Sequence, residues 1–285
     1  MPVVRKALIA LTLLPTLFLL PSTHSQASVD RCDQLAGGPL TTFAPMEPVA
    51  FPDLKAQASD AVEACQEAML TGSTEPRIPY QLARALLARN KADNDIAGML
   101  TQAAEQGYAP AQNLLGGLYS HGHLVDMSDT TARIWFTRAA DQDYPPAITN
   151  QAAFHANDFD GSYDYQVALR HFERAAALGD PVAMTQVGVM YWHGYGVPDD
   201  VEVAKQWYQL GLEAGDIDAL LRLRDANSSN NYQYYIDLAI AAGHRGAVID
   251  NLLYPVTPES RAAILDATGR LSWDTRREGG FFYAR

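Results

Sequence analysis

Along the last two-thirds of the chain, apolar residues return at helical spacing. Ala183, Val187 and Met190 lie four and three residues apart, which places them on one helix face. Asp180-Pro181 offers an N-cap followed by proline at the first helical position. Gly194-Tyr195-Gly196 ends the run, because glycine supplies positive φ there. Val203, Ala204, Trp207 and Tyr208 give a second helix its apolar face, and Gly215 closes it. Ala183 and Gly188 are expected to let the two helices approach closely, with Trp207 filling the space between them. One such antiparallel pair cannot bury both of its faces, so pairs must stack.

The punctuation is periodic. Gly107, Asp143, Gly179 and Gly215 are spaced by 36 residues, and Ala111, Ala147, Ala183 and Ala219 follow in phase. A shorter copy reads Ala241-Ala242-Gly243, then Ala247. Across 72 residues Tyr119 matches Tyr191, His121 matches His193, Gly122 matches Gly194, Val125 matches Val197 and Trp135 matches Trp207. The middle copy keeps Phe172, Arg174, Ala175, Ala176 and Gly179 but loses the Gly-x-Gly loop. It also places His155 where the siblings have tyrosine and His171 where they have tryptophan. A period of this length is the signature of a solenoid.

The third copy, through Ala183, Gly188, Tyr191, Gly194, Gly196, Val197, Asp200, Ala204, Trp207, Tyr208 and Gly215, resembles the Sel-1-like repeat, a relative of the tetratricopeptide repeat. The first copy matches at Ala111, Leu115, Gly116, Tyr119, Gly122, Val125, Asp129, Ala132, Trp135 and Ala139-Ala140. It departs at Leu124, where a second loop glycine is expected, so that loop should differ locally. The resemblance implies an all-α fold, a right-handed α-solenoid of antiparallel helix pairs with 36-residue repeats. It also implies use as a protein-interaction scaffold, often in bacterial envelopes. The expected organisation is a signal peptide at 1–27, an irregular segment at 28–54, capping helices at 55–106, repeats at 107–250, and a C-terminal capping helix with tail at 251–285. Within the N-terminal cap, Leu54 to Met69 reads as one helix, with further helices around Tyr80–Leu87 and Ile96–Ala103. Near the other end, Thr257-Pro258-Glu259 opens a helix running to about Ala267.

The N-terminus adds a compartment. Arg5 and Lys6 precede an apolar run from Ala7 to Leu20, 14 residues long and interrupted by Pro15. That is short of the ~20 residues a spanning helix needs. Ser25 and Ala27 fit a small-x-small cleavage pattern, so the segment reads as a secretory signal cut after Ala27. A retained anchor is the alternative. Export implies a periplasmic or secreted protein, where Cys32 and Cys65, the only two cysteines, can form a disulfide. Two free thiols are the competing reading.

Composition narrows the partners. With 33 acidic and 21 basic residues the formal charge is -12. Nucleic-acid binding needs a basic stripe to displace counterions, so a protein or peptide partner is expected instead. The sequence has no G-x-S-x-G elbow, no H-E-x-x-H and no phosphate-binding glycine loop with lysine. No catalytic residue, cofactor or metal is therefore assigned, and the chain is read as no enzyme. His121-x-His123 and His193 fill repeat positions in stacked units roughly 10 Å apart, too far to share one ion. Asp158, Asp160, Asp164, Asp199 and Asp200 lack the glycine and terminal glutamate of an EF-hand loop, so they read as solvated turns. Cysteine-rich relatives linked to β-lactam binding carry a cysteine pair in each repeat. Here neither cysteine lies in a repeat, so that activity is not carried over.

One feature escapes the repeat pattern. Trp192 stands where its siblings have Ser120 and Ala156, and Tyr195 where they have His123 and Phe159. Exposed aromatics are enriched at interaction hot spots, so Trp192 and Tyr195 are the candidate partner-binding residues. Packing against the next repeat is the competing explanation. An envelope enzyme or small-ligand-binding protein on the same scaffold is the alternative function.

Overall fold

Side-chain caps set where four of the six repeat helices begin. In the computed structural model, which describes residues 23–37, 51–89, 95–156, 163–216 and 218–226, Ser128 Oγ accepts from the Thr131 amide and Asp164 Oδ1 from the Val167 amide. Asp180 caps through the Val182 amide, and Asp200 through the amides of Glu202 and Val203. Each cap satisfies backbone donors that a helix N-terminus otherwise leaves orphaned. The resulting pairs are α6 (Ala109–His121) with α7 (Asp129–Ala140), α8 (Pro145–Ala156) with α9 (Tyr165–Ala177), and α10 (Pro181–His193) with α11 (Val201–Ala214). Before them come α1 (Thr23–Ala36), α2 (Phe51–Ala56), α3 (Ala58–Leu70), α4 (Arg77–Ala88) and α5 (Ile96–Glu105), and after them α12 (Asp218–Ala226). The described residues contain no strand, and the architecture is an α-solenoid. None of the described helices is long and apolar enough to cross a membrane.

Each second helix packs on its own first helix and on the first helix of the next pair, and α8 also touches α10 directly. At the centre of the third pair, Gly188 faces the ring of Tyr208, which is only 2% exposed. A Cβ on Gly188 would lie 2.6 Å from that ring. Gly116 and Phe136 repeat this arrangement in the first pair, with a Cβ 2.8 Å from the ring. The expectation that Trp207 fills the gap is corrected here. Tyr208 fills it, whereas Trp207 and Trp135 are both half-buried and pack at the margins of the core. Helix geometry explains the choice: Tyr208 shares a face with Ala204, Gly211 and Leu212, all buried, while Trp207 points about 100° away.

Leu124 brings a second correction. It adopts φ 63°, close to the 75° of Gly196 in the third repeat. The first loop therefore keeps the repeat's backbone, and leucine takes on the left-handed conformation that glycine adopts freely. Asp143 does likewise at φ 56°, where the siblings are glycine.

The N-terminal cap differs from expectation in two places. Residues 28–36, placed in the irregular segment, belong to helix α1, which starts upstream of the expected cleavage point. The helix expected over Leu54–Met69 breaks at Gln57, between α2 and α3. Gln57 donates from Nε2 to the Leu35 carbonyl (3.1 Å), tying the break to the end of α1. Cys32 and Cys65 form a disulfide, with Cα atoms 4.7 Å apart, joining α1 to α3. Arg77 reaches Asp33 (3.0 Å), and Arg84 donates to the carbonyls of Ala36 and Gly37. The apolar run Ala7–Leu20, the copy around Ala241, Asn227-Ser-Ser229, the helix from Thr257 and the tail lie outside the described residues, as do Asp158, Phe159 and Asp160.

Candidate partner-binding surface

Tyr195 is set by the loop that ends α10. Gly194 turns left-handed at φ 69°, and the Tyr195 amide donates back to the Met190 carbonyl (2.9 Å). The Asp200 amide then closes the loop on the Tyr191 carbonyl (2.9 Å). Gly196 seats this loop on the preceding repeat: a Cβ there would lie 2.8 Å from the carbonyl carbon and oxygen of Tyr165. Only glycine permits so close a backbone approach.

That docking stacks rings from two repeats. Tyr195 lies over Tyr165 with centroids 4.6 Å apart and planes within 8°. Tyr163 stacks on Tyr165 at 5.4 Å, and His193 on Tyr195 at 5.1 Å. The result is a column of four rings, Tyr163, Tyr165, Tyr195 and His193. Tyr163 is 56% exposed and Tyr195 37%; His193 is exposed as well. Trp192 is half-buried and Tyr191 packs against the second core cluster. The structure thus unites one of the two candidate residues, Tyr195, with three rings that were not singled out as a surface. The signal for the column is Gly196, a repeat glycine whose close approach fixes which rings meet.

Acidic groups flank the column. Asp164, Asp199, Asp200 and Glu202 are exposed, and Glu202 pairs with Lys205 Nζ (2.8 Å). Neither 163–169 nor 191–204 contains a lysine or arginine. At the corresponding turn of the first repeat, His121 Nδ1 lies 3.0 Å from the Gly117 carbonyl. Among the described residues, no three His, Cys, Asp or Glu side chains cluster as metal ligands.

In the middle repeat His155 and His171 stack on each other, 5.5 Å apart and parallel to 1°. Burial pushes the pKa of each below the usual histidine value. Arg133 lowers His155 further, and His155, Arg174 and Arg170 lower His171. The repeat tyrosine and tryptophan have thus been replaced as a touching pair.

A polar line runs along the stack, buried at Tyr144 and Asp180 and half-buried at Tyr108 and Asp216. Positions 108, 144, 180 and 216, spaced 36 apart, hold Tyr108, Tyr144, Asp180 and Asp216. Thr149 donates to Asp180 Oδ2, bridging α8 to the cap of α10. Burial raises the Asp180 pKa, and the hydrogen bonds from Thr149, Val182 and Ala183 oppose it. Asp216 is pushed up to about 6, by burial first and by Asp218 and Asp180 as well, with Thr185 and the Asp218 amide opposing. The phenols of Tyr80, Tyr108 and Tyr144 are all raised, chiefly by burial. The regular spacing would have revealed this line.

Three stretches, residues 109–144, 152–180 and 181–216, match the Sel1 repeat family. Among solved structures, a Sel1 repeat protein from Oxalobacter formigenes is similar at 23% identity and TM-score 0.57, over 77% of this chain and 98% of the other. A protective antigen of uropathogenic Escherichia coli with an SLR fold is similar at 18% identity and TM-score 0.49, over 77% of this chain and 54% of its own. No curated protein matches the chain.

Proposed function

Given that this is a Sel1-repeat protein, with three repeats stacked between residues 109 and 216, we propose that it holds a protein partner in the cell envelope, in a regulatory role. Sel1 repeats are generally protein-interaction scaffolds and typically non-enzymatic. The observation that carries the reading here is the aromatic column at Tyr195, which packing between two repeats builds and leaves partly exposed. Trp192, the other candidate, is half-buried at the same helix end and is tested beside Tyr195. A periplasmic or secreted location rests on the Arg5-Lys6 and Ala7–Leu20 pattern, and the Cys32–Cys65 bridge suits an oxidising compartment.

The test is affinity capture from the envelope fraction by the wild-type chain and by Trp192→Ala and Tyr195→Ala. A single protein retained by the wild type and lost from either variant, at unchanged melting temperature, is the expected result. Equal retention by all three overturns the patch. Lower melting with intact capture assigns both rings to packing. Cell fractionation checks the compartment, since cytoplasmic recovery of the uncleaved chain overturns it.

A further inference from the structure

We infer that the ring column binds an arginine-bearing extended segment of the partner; this rests on the scaffold reading above and specifies its ligand. Two independent observations converge on that chemistry. The first is the column itself: Tyr163 and Tyr195 stay substantially exposed while stacked. Stacking aligns the rings and holds their rotamers, so a planar group meets a preorganised surface at small entropic cost.

The second is charge. The exposed carboxylates Asp164, Asp199, Asp200 and Glu202 border the rings, and the first basic residues beyond them are Arg170 and Lys205. Lys205 is already engaged by Glu202. An anionic partner, whether a nucleic acid, an acidic peptide or a lipid headgroup, meets repulsion here and in the net charge of -12. A cationic segment is attracted. Arginine suits the combination better than lysine, because a guanidinium stacks flat on the outer face of Tyr163, the tyrosine that ends the column, while its edge donates to a carboxylate. The faces of Tyr165 and Tyr195 are taken by the rings beside them. Asp164 and Asp200 spend an oxygen on helix caps and Glu202 pairs with Lys205, which leaves Asp199 as the carboxylate with neither duty.

Fluorescence anisotropy with the full chain at physiological ionic strength tests this, using labelled Gly-Arg-Gly and Gly-Lys-Gly repeat peptides of equal length and charge. The arginine peptide is expected to bind roughly tenfold more tightly than the lysine peptide. Tyr163→Ala should weaken it about threefold to tenfold, down toward the lysine level, and Tyr195→Leu, which removes the ring that holds Tyr165 in the stack, should weaken it by a smaller factor. Asp199→Asn should weaken both peptides. Tyr195→Leu keeps apolar bulk, so retained melting separates ring loss from misfolding. Equal binding of the two peptides, or tyrosine variants that bind as the wild type does, overturns the inference by reducing the effect to bulk charge. Envelope capture that is lost in Trp192→Ala while no arginine peptide binds would leave the scaffold reading standing and this one refuted.

Discussion

The third repeat and the middle repeat solve one packing problem with different residues. In the third, Gly188 admits Tyr208; in the middle, Ala152 stands at the glycine position and Phe172 supplies the ring. Tyr191 and Trp207 of the third become His155 and His171, and the histidines stack on each other. Both repeats nevertheless bury the same register: Ala168, Phe172 and Ala175 in one, Ala204, Tyr208 and Gly211 in the other. What is held constant is the inward ring and the small residues around it. What varies is the half-buried pair beside it, where substitution costs little in packing and alters surface chemistry.

The largest expected effect separates these two roles. Tyr208→Ala leaves a cavity at a fully buried site and should destabilise by about 3–5 kcal/mol. Trp207→Ala, at a half-buried site, should cost only about 1–2 kcal/mol despite the larger side chain. Chemical denaturation followed by circular dichroism measures both. Equal costs would mean that both aromatics carry the core and that the distinction between inward ring and marginal pair is wrong.

Next comes the glycine. Gly188→Ala places a Cβ against the Tyr208 ring and 3.0 Å from the Ala204 carbonyl oxygen. The ring is too enclosed to yield freely, so overpacking should cost about 1–3 kcal/mol. The reverse change in the middle repeat, Ala152→Gly, should cost about 1 kcal/mol through helix propensity and lost contact. If Gly188→Ala is neutral or stabilising, the two pairs already share one interhelix spacing.

Much of this was readable before the structure. The 36-residue punctuation, the cap at Asp180 and the ends at Gly194 and Gly215 are local signals, and local signals survive in a solenoid because each unit contacts only its neighbours. The choice between Trp207 and Tyr208 was readable too, from the small residues at 204 and 211 that share the Tyr208 face. The break at Gln57 was not, since it depends on a hydrogen bond to Leu35. Nor was the ring column, which exists because Gly196 docks on a backbone 31 residues earlier, at Tyr165. Tyr195 was marked as unusual; its ring partners come from tertiary structure.

Acidity probes the same comparison with opposite signs. Asp216 closes the third repeat with a pKa of about 6, above an unfolded value near 3.9. The native state therefore favours its protonated form. The stability it contributes is full below the unfolded value and is lost as pH rises through 6. Asp216→Asn should stabilise the chain near pH 7.5 by on the order of 1–2 kcal/mol and have little effect near pH 4. The middle repeat's histidines run the other way, because their folded pKa values lie below the usual one. Their contribution is present above the unfolded value and fades as pH falls through the folded one. The double change His155→Tyr with His171→Trp should flatten melting temperature between pH 7 and 5 by less than Asp216→Asn does. The same pH dependence in wild type and double variant would show that solvent screens the pair completely.

The smallest expected effect lies in the loops, and it tests whether a repeat position tolerates a poor residue. Leu124 holds a left-handed φ of 63°, a conformation that costs a side-chain-bearing residue about 1–2 kcal/mol. Leu124→Gly removes that strain. It also gives the unfolded chain more freedom, a loss of about 0.5–1 kcal/mol, and strips an apolar side chain that packs on the first core cluster. That burial is partial and is worth about 1 kcal/mol. The three terms nearly cancel, so the variant should melt within about 2 °C of wild type. The sibling position offers no such balance: at Gly196 a Cβ meets the Tyr165 backbone at 2.8 Å, and a backbone cannot turn aside as a side chain can. Gly196→Ala should therefore destabilise the chain and disperse the ring column, whereas Leu124→Gly leaves both the stack and its stability unchanged. A clear gain from Leu124→Gly would mean that its side chain contributes nothing to the core it touches. A clear loss would mean that the contact outweighs the strain, and that leucine is retained there for packing.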